Sequence, residues 1–348
     1  MLGRGKNAYL HTRVSLMAAR LLSTEARRRL RDADADALPA LFAAAGAAAL
    51  LTAETSETSL EQHRLALLLA EILILCRALG GHSRAFLLYW THLFELINLK
   101  AILRRRLAGE DAAAIRRSLL DMGPFAALPI DELLTTDSPA EMLRRLERTP
   151  FGEIAGRARR LAAARGDFFP LETALDQRFY AGLVAHASEV RGSDQKRFLA
   201  LVGALVDGIN LVWLLRYRFA YAVPPAETYY LLIDSPFRLS GERLRKLAAL
   251  TSPAALLGEL PAPLKRVVAG AATAEQVHLL LAGQLAEVAD EAIRRSPSAF
   301  VRAFAYLLRR ESDLRLLAGV LQSLRLGLPP ELLHAAFPLA AGNARVAA

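Results

Sequence analysis

Apolar residues recur along the chain at intervals of three and four and almost never in alternation. Leu10, Val14, Met17 and Leu21 stand at helical spacing with Arg13 and Arg20 on other faces, and Ser23 offers a cap to a second helix near Glu25. The stretch from Glu61 to Ala78 predicts a strongly apolar helix. Ser83 to Leu107 predicts another of 25 residues that no Gly or Pro interrupts. No convincing period-two run predicts a strand, so the expected fold class is all-α.

The pattern also repeats. Phe86, Phe198 and Phe304 align at offsets of 112 and 106, and reading forward without gaps keeps the three segments in step. Nine residues on lie Glu95, Asp207 and Asp313; twelve on, Asn98, Asn210 and Leu316; thirteen on, Leu99, Leu211 and Leu317; seventeen on, Leu103, Leu215 and Leu321. Each long helix is preceded by another helical run, around Gln62, Glu172 and Gln276. Further upstream comes a short apolar-acidic element: Leu22-Ser23-Thr24-Glu25, Leu128-Pro129-Ile130-Asp131-Glu132, then Leu239-Ser240-Gly241-Glu242. A repeat of 105–112 residues is too long for a solenoid unit and suits a small helical domain. The expected units are 1–115, 116–225 and 226–348, related about a pseudo-threefold axis or central depression.

Composition narrows the picture in three ways. Among 348 residues, 53% are apolar but only 7% aromatic, which favours Ala- and Leu-rich helices. Five of the 44 basic residues are Lys, leaving 39 Arg against 35 acids and a net charge of +9, which permits an anionic partner. A lone cysteine, Cys76, has no internal disulfide partner and sits in an apolar run that reads as core. No segment shows a signal peptide's layout, and no uncharged run has the composition of a transmembrane helix.

Catalytic signatures are missing. His11, His63, His82, His92, His186, His278 and His334 are scattered without metal-ligand spacing, and there is no G-x-S-x-G, no G-x-G-x-x-G and no complete phosphate loop around Gly5-Lys6. No catalytic, metal or cofactor site is expected. Glu95 and Asp207 lie inside apolar helices, one turn from Asn98 and Asn210. They have two readings: a cation or partner site, or a structural bond to a neighbouring Arg or backbone group. Arg104-Arg105-Arg106 and Arg216-Tyr217-Arg218 end two of the long helices. There they complement the helix dipole, or offer a partner interface for acidic protein, anionic lipid or nucleic acid. Aromatics interleaved with the basic residues would favour nucleic acid, and only Tyr217 and Phe219 qualify.

With these landmarks in place the chain resembles the C subunit of the V-type (A-type) rotary ATPases, the counterpart of the d subunit in eukaryotes. The resemblance is carried by Asn7 to Val14 with Arg20-Leu21-Leu22-Ser23, Phe94-Glu95-Leu96-Ile97-Asn98-Leu99-Lys100, Thr149-Pro150-Phe151-Gly152-Glu153, Ala174-Leu175-Asp176 with Tyr180, Asp207-Gly208-Ile209-Asn210-Leu211, Glu311-Ser312-Asp313-Leu314-Arg315 and Leu326 to Glu331. It spans about residues 5–337 and departs from the family pattern at Leu316, where an Asn is expected, and in its excess of Arg. The resemblance implies three helical domains in a funnel. It also implies a non-catalytic rotor socket between the central shaft and the membrane proteolipid ring, peripheral at the cytoplasmic face and present as one copy in a hetero-oligomer, with proton or sodium transport carried out elsewhere. On this view Arg104, Arg105, Arg106, Arg216 and Arg218 form a rim toward shaft or ring. The competing reading is a basic helical nucleic-acid-binding or adaptor protein.

Overall fold

The computed structural model describes residues 2–32, 35–54, 56–136, 138–156, 169–192 and 194–329, and these are helical with no strand among them. His334 and the Pro330-Glu331 end of the last family-like stretch lie outside the described residues. The helices named below are α1 (Leu2–Ala18), α2 (Thr24–Arg31), α3 (Leu38–Ala44), α4 (Glu57–Ala78), α5 (Gly81–Leu107), α6 (Ala112–Arg117), α7 (Ile130–Leu134), α8 (Pro139–Leu146), α9 (Phe169–Glu189), α10 (Gln195–Leu215), α11 (Pro225–Leu231), α12 (Gly241–Ala248), α13 (Pro253–Gly258), α14 (Ala262–Val267), α15 (Ala274–Arg295) and α16 (Ala299–Arg325). A π-helical turn, Arg216–Ala220, continues α10.

The repeated segments become α5, α10 and α16, and each packs on the helix that precedes the next long one. Thus α5 lies on α9, α10 on α15, and α16 returns to α4, so the six helices close a circuit. At the repeat's first position the circuit draws tight. The rings of Phe86 and Phe198, and of Phe86 and Phe304, meet edge to face with centroids 5.0 Å apart, and Phe198 stands 5.8 Å from Phe304. All three are fully buried, a geometry that matches positive ring edges to negative faces.

Short helices then cover the outer part of each long helix: α6 and α7 on α5, and α11 to α14 around the far half of α10 in a satellite core built on Leu211, Leu214 and Leu256. For α16 the cover comes from the opposite end of the chain. Leu10, Val14 and Met17 of α1 bury against it, and Arg302 reaches back to Ser15 Oγ at 2.8 Å and to the His11 ring at 3.0 Å. Arg310 donates to the Ala45 carbonyl at 2.7 Å and pairs with Glu71 at 3.1 Å.

Two long helices, Gly81–Leu107 and the continuous Gln195–Ala220, are long and apolar enough to cross a membrane by length and composition. That is more than the sequence reading allowed. Burial of 61% and 67% of those windows inside the body accounts for it: a helix enclosed on several sides becomes apolar all round. Cys76 is buried, as its apolar neighbours predict.

Candidate functional site

The acids at the repeat's second landmark resolve into one structural device. Burial would make each carboxylate costly without donors, and each finds them in the loop ahead of a short helix. Ala127 N–H donates to Glu95 at 3.1 Å ahead of α7. Leu239 and Arg238 N–H donate to Asp207 at 2.9 and 3.2 Å ahead of α12. Leu22 N–H donates to Asp313 at 2.8 Å ahead of α2, where Arg27 adds an ion pair. At least one oxygen of each acid accepts from a backbone N–H, the arrangement that the structural reading describes, while Glu95 Oε2 is buried without a hydrogen-bond partner. Burial pushes Glu95 and Asp313 above the usual carboxylate range and Asp207 up to about 6, while the N–H donors pull back.

Asn98 and Asn210 bracket the same loops further upstream. Asn98 Nδ2 donates to Leu120 O at 2.7 Å while Leu120 N–H donates to Asn98 Oδ1 at 2.8 Å. Asn210 does the same to Ile233 at 2.9 and 2.8 Å. In the third unit the chain ahead of Leu22 is helix α1, whose backbone groups bond internally, and an amide there has nothing to bracket. Leu316 fills the position as a buried hydrocarbon.

The five arginines do not form one free rim. Arg106 donates to Thr136 O at 2.8 Å and Arg218 to Ala248 O at 2.7 Å, so each closes a carbonyl thirty residues downstream at the end of a short helix, and Arg218 also donates to Val223 O, five residues on, at 2.8 Å. Arg105 is bound by Glu110 at 2.7 Å and by Ser118. Arg104, paired with Glu172 at 2.6 Å, and Arg216, 3.8 Å from Glu275, keep exposed side chains.

Other family-like residues are joints as well. Lys100 Nζ on α5 donates to both Asp176 oxygens on α9 at 2.8 and 2.9 Å. Phe151 is fully buried, and a Cβ on Gly152 would run into the Glu147 carbonyl, so the turn after α8 admits no side chain there.

What the helices enclose is a recess of about 470 Å³. It lies between Trp90 and Leu93 of α5, Leu205 and Ile209 of α10, and Leu308 and Glu311 of α16, with Tyr180 of α9 and Leu285 of α15 between them. Phe304, whose ring lies 5.8 Å from that of Trp90, ties its wall to the phenylalanine cluster. Arg216 and Arg315 add guanidiniums to its lining, each paired with an acid, Glu275 at 3.8 Å and Glu311 at 2.6 Å, and His278 lines it too. Burial and the two guanidiniums lower the His278 pKa, which keeps the ring neutral. The sequence reading missed these wall residues. A signal existed: Leu93, Leu205 and Glu311 all stand seven residues after the repeat's phenylalanine.

The buried helices close a circuit, several polar side chains bond backbone groups between elements, and the recess is largely apolar. Among the described residues no cluster of His, Cys, Asp and Glu is disposed to hold a metal ion. The chain belongs to the ATP synthase (C/AC39) subunit family, whose model matches residues 10–336. It is 26% identical to the A-type ATP synthase C subunit of Methanosarcina mazei over 252 residues, 71% of this chain and 68% of that one. Identity is also 26% over 173 residues with the C subunit of Methanosarcina barkeri, half of this chain and 47% of the relative. With that of Halobacterium salinarum it is 30% over 136 residues, 38% of this chain and 39% of the relative.

Proposed function

We propose that the chain is the non-catalytic socket of a V-type/A-type rotary ATPase, seating the central shaft in its recess and coupling it to the proteolipid ring during proton or sodium transport. The observation that carries the reading is the recess enclosed by a closed circuit of helices. A part that passes torque must resist splaying, and a circuit in which every long helix is held by two others does so without any single weak seam. On this reading the three units 1–115, 116–225 and 226–348 form a pseudo-threefold, funnel-like body. It sits peripherally at the cytoplasmic face as one copy in a hetero-oligomer, with no nucleic acid and no span of its own. Nucleotide chemistry belongs to the other polypeptides of the complex.

Arg104 and Arg216 are the exposed rim charges placed to meet acidic surface on shaft or ring. Reversing both to Glu is expected to slow complex assembly at low salt, with the difference fading as salt screens it and the fold unchanged.

The deciding experiment tags the chain, extracts native membranes in mild detergent and identifies what co-purifies after nuclease treatment. Recovery of the ATPase head, shaft and proteolipid supports the socket. Recovery of nucleic acid or of an unrelated soluble protein alone overturns it in favour of a basic adaptor.

A further inference from the structure

The long helices pair unequally. From their shared turn α15 and α16 run side by side, but α4 and α5 part soon after theirs, and α9 and α10 do the same. The firm seams therefore divide the circuit into two blocks. The first is the continuous stretch from α5 to α9, whose two long helices are stapled along their length. His82 meets Glu189 at 3.3 Å, Tyr89 Oη donates to Phe179 O at 3.1 Å where Gly182 leaves room for the phenol, Lys100 pairs with Asp176 and Arg104 with Glu172. The second block gathers the helices before and after it. Arg309 joins α16 to Asp290 of α15 at 2.7 Å, Arg310 joins α16 to Glu71 of α4 at 3.1 Å, and α10 lies along α15.

Ring contacts and hydrogen bonds run across the boundary. Phe86 meets Phe198, Phe300 and Phe304, and Tyr180 meets Trp213 edge to face at 5.9 Å. Gln62 of α4 exchanges bonds of 2.7 and 3.2 Å with the Asp121 backbone, Gln177 of α9 donates to Leu232 O at 3.1 Å, and Thr173 shares a hydrogen bond with Tyr217. Both chain crossings turn on glycine: Gly80-Gly81 between α4 and α5, with φ +54° at Gly81, and Gly192 between α9 and α10, with φ +133°. The turn inside the second block is Ser296-Pro297-Ser298, pinned by Ser298 N–H donating to Ser296 Oγ at 3.1 Å and by His11 at 3.0 Å from Pro297 O. Glycine absorbs the backbone rotation that a hinge needs, and proline does not.

We infer that the two blocks form a jaw that turns about the phenylalanine cluster and opens the recess between them. The recess lies on their boundary, lined by Trp90, Leu93 and Tyr180 from the first block and by α10, α15 and α16 from the second. Phe86 stands five residues past Gly81 and Phe198 six past Gly192, which puts the rings at the hinge end. Gln62 and Gln177 stand about 24 and 18 Å along their helices from those turns, at 1.5 Å per residue. A tilt of about 5° moves the end at Gln62 by about 2 Å, which parts its hydrogen bonds while the rings beside the pivot hardly shift. A closed circuit cannot part at one seam alone, so α4 leaves α5 as α9 leaves α10, and every firm seam is kept. The jaw admits a body wider than the closed recess and then closes on it. The inference goes beyond the socket reading and stands for whatever body the recess receives.

The test measures distances between spin labels in the full-length chain by pulsed electron paramagnetic resonance. Leu107→Cys with Leu280→Cys puts exposed labels on opposite blocks, and Leu107→Cys with Ser188→Cys puts both on the first block. Cys76 is buried, its thiol pushed up to about 11 by burial, and stays unlabelled. The pair across the boundary is expected to show a second, longer distance, and the pair within the block a single narrow one. Gln62→Ala with Gln177→Ala and Tyr217→Phe unfastens the far end, and should raise the longer fraction at least about threefold while the pair within the block stays put. Should that variant fail to fold, Gln62→Glu alone, which sets a carboxylate against the Asp121 carbonyl, is expected to shift the same fraction in the same direction. One narrow distance across the boundary in parent and variant overturns the jaw, as does broadening of both pairs together.

Discussion

Replacing Phe86 by Leu tests the phenylalanine cluster most directly. Phe86 is fully buried and touches three rings edge to face, those of Phe198 and Phe304 at 5.0 Å and Phe300 at 6.0 Å. Phe94, also buried on α5, has one such partner in Trp90 at 5.8 Å. Phe94→Leu removes the same atoms and serves as the control. Each edge-to-face pair contributes about 0.5–1.5 kcal/mol beyond the area it buries. Two extra pairs therefore predict that Phe86→Leu destabilises the chain by about 1–3 kcal/mol more than Phe94→Leu. Urea unfolding of both variants and the parent, followed by helical circular dichroism, measures the difference. A double-mutant cycle with Phe198→Leu should return a coupling of about 0.5–1.5 kcal/mol. Equal losses for Phe86→Leu and Phe94→Leu, with no coupling, would mean that the three rings are neighbours without being a joint.

Asp207 gives a pH dependence. Its folded-state pKa of about 6 lies above the ordinary 3.8, so the fold holds this proton more tightly than the unfolded chain, and stability falls as pH rises through 6. Relative to Asp207→Asn, the parent should lose about 2 kcal/mol between pH 4 and 7.5, and a flat difference in urea unfolding would contradict this. Asn210→Leu strands the buried N–H and carbonyl of Ile233, predicting a loss of about 2–4 kcal/mol, while Leu316→Asn, adding an amide with nothing to bracket, should cost about 1–3 kcal/mol. Asp313→Ala leaves Arg27 uncompensated and should cost about 3–5 kcal/mol by thermal or chemical melts, with much of it restored by a companion Arg27→Met.

The joints were legible in the sequence because they demand the same chemistry three times. A ring that packs on its own equivalents leaves Phe three times, and an acid that must accept backbone N–H groups leaves Glu or Asp, at fixed spacing. The recess wall lacks that constraint, since Leu93, Leu205 and Glu311 line a cavity instead of packing on one another, and residues facing a cavity are free to differ. The arginines were hidden for another reason. Helix-end position and charge are visible in one dimension, but the partners of Arg106 and Arg218 are carbonyls of Thr136 and Ala248, set by how the chain turns back. Likewise the apolar run of α10 reads as a membrane segment or a core helix until its neighbours are known.

Because the cover of α16 comes from the other end of the chain, the circuit has an order of manufacture. The ribosome delivers α1, with Leu10, Val14 and Met17 on its sticky side, roughly 280 residues before α16 exists to receive them. At about 5–20 residues per second that is a wait on the order of tens of seconds. During it α5 to α8 and α10 to α14 can settle on their own covers as they emerge, whereas α1 has α4 to lie on but not its larger partner α16. The synthesis of α16 therefore sets when this body becomes resistant to proteases, and a nascent chain stalled before Ala299 should display α1 to chaperones.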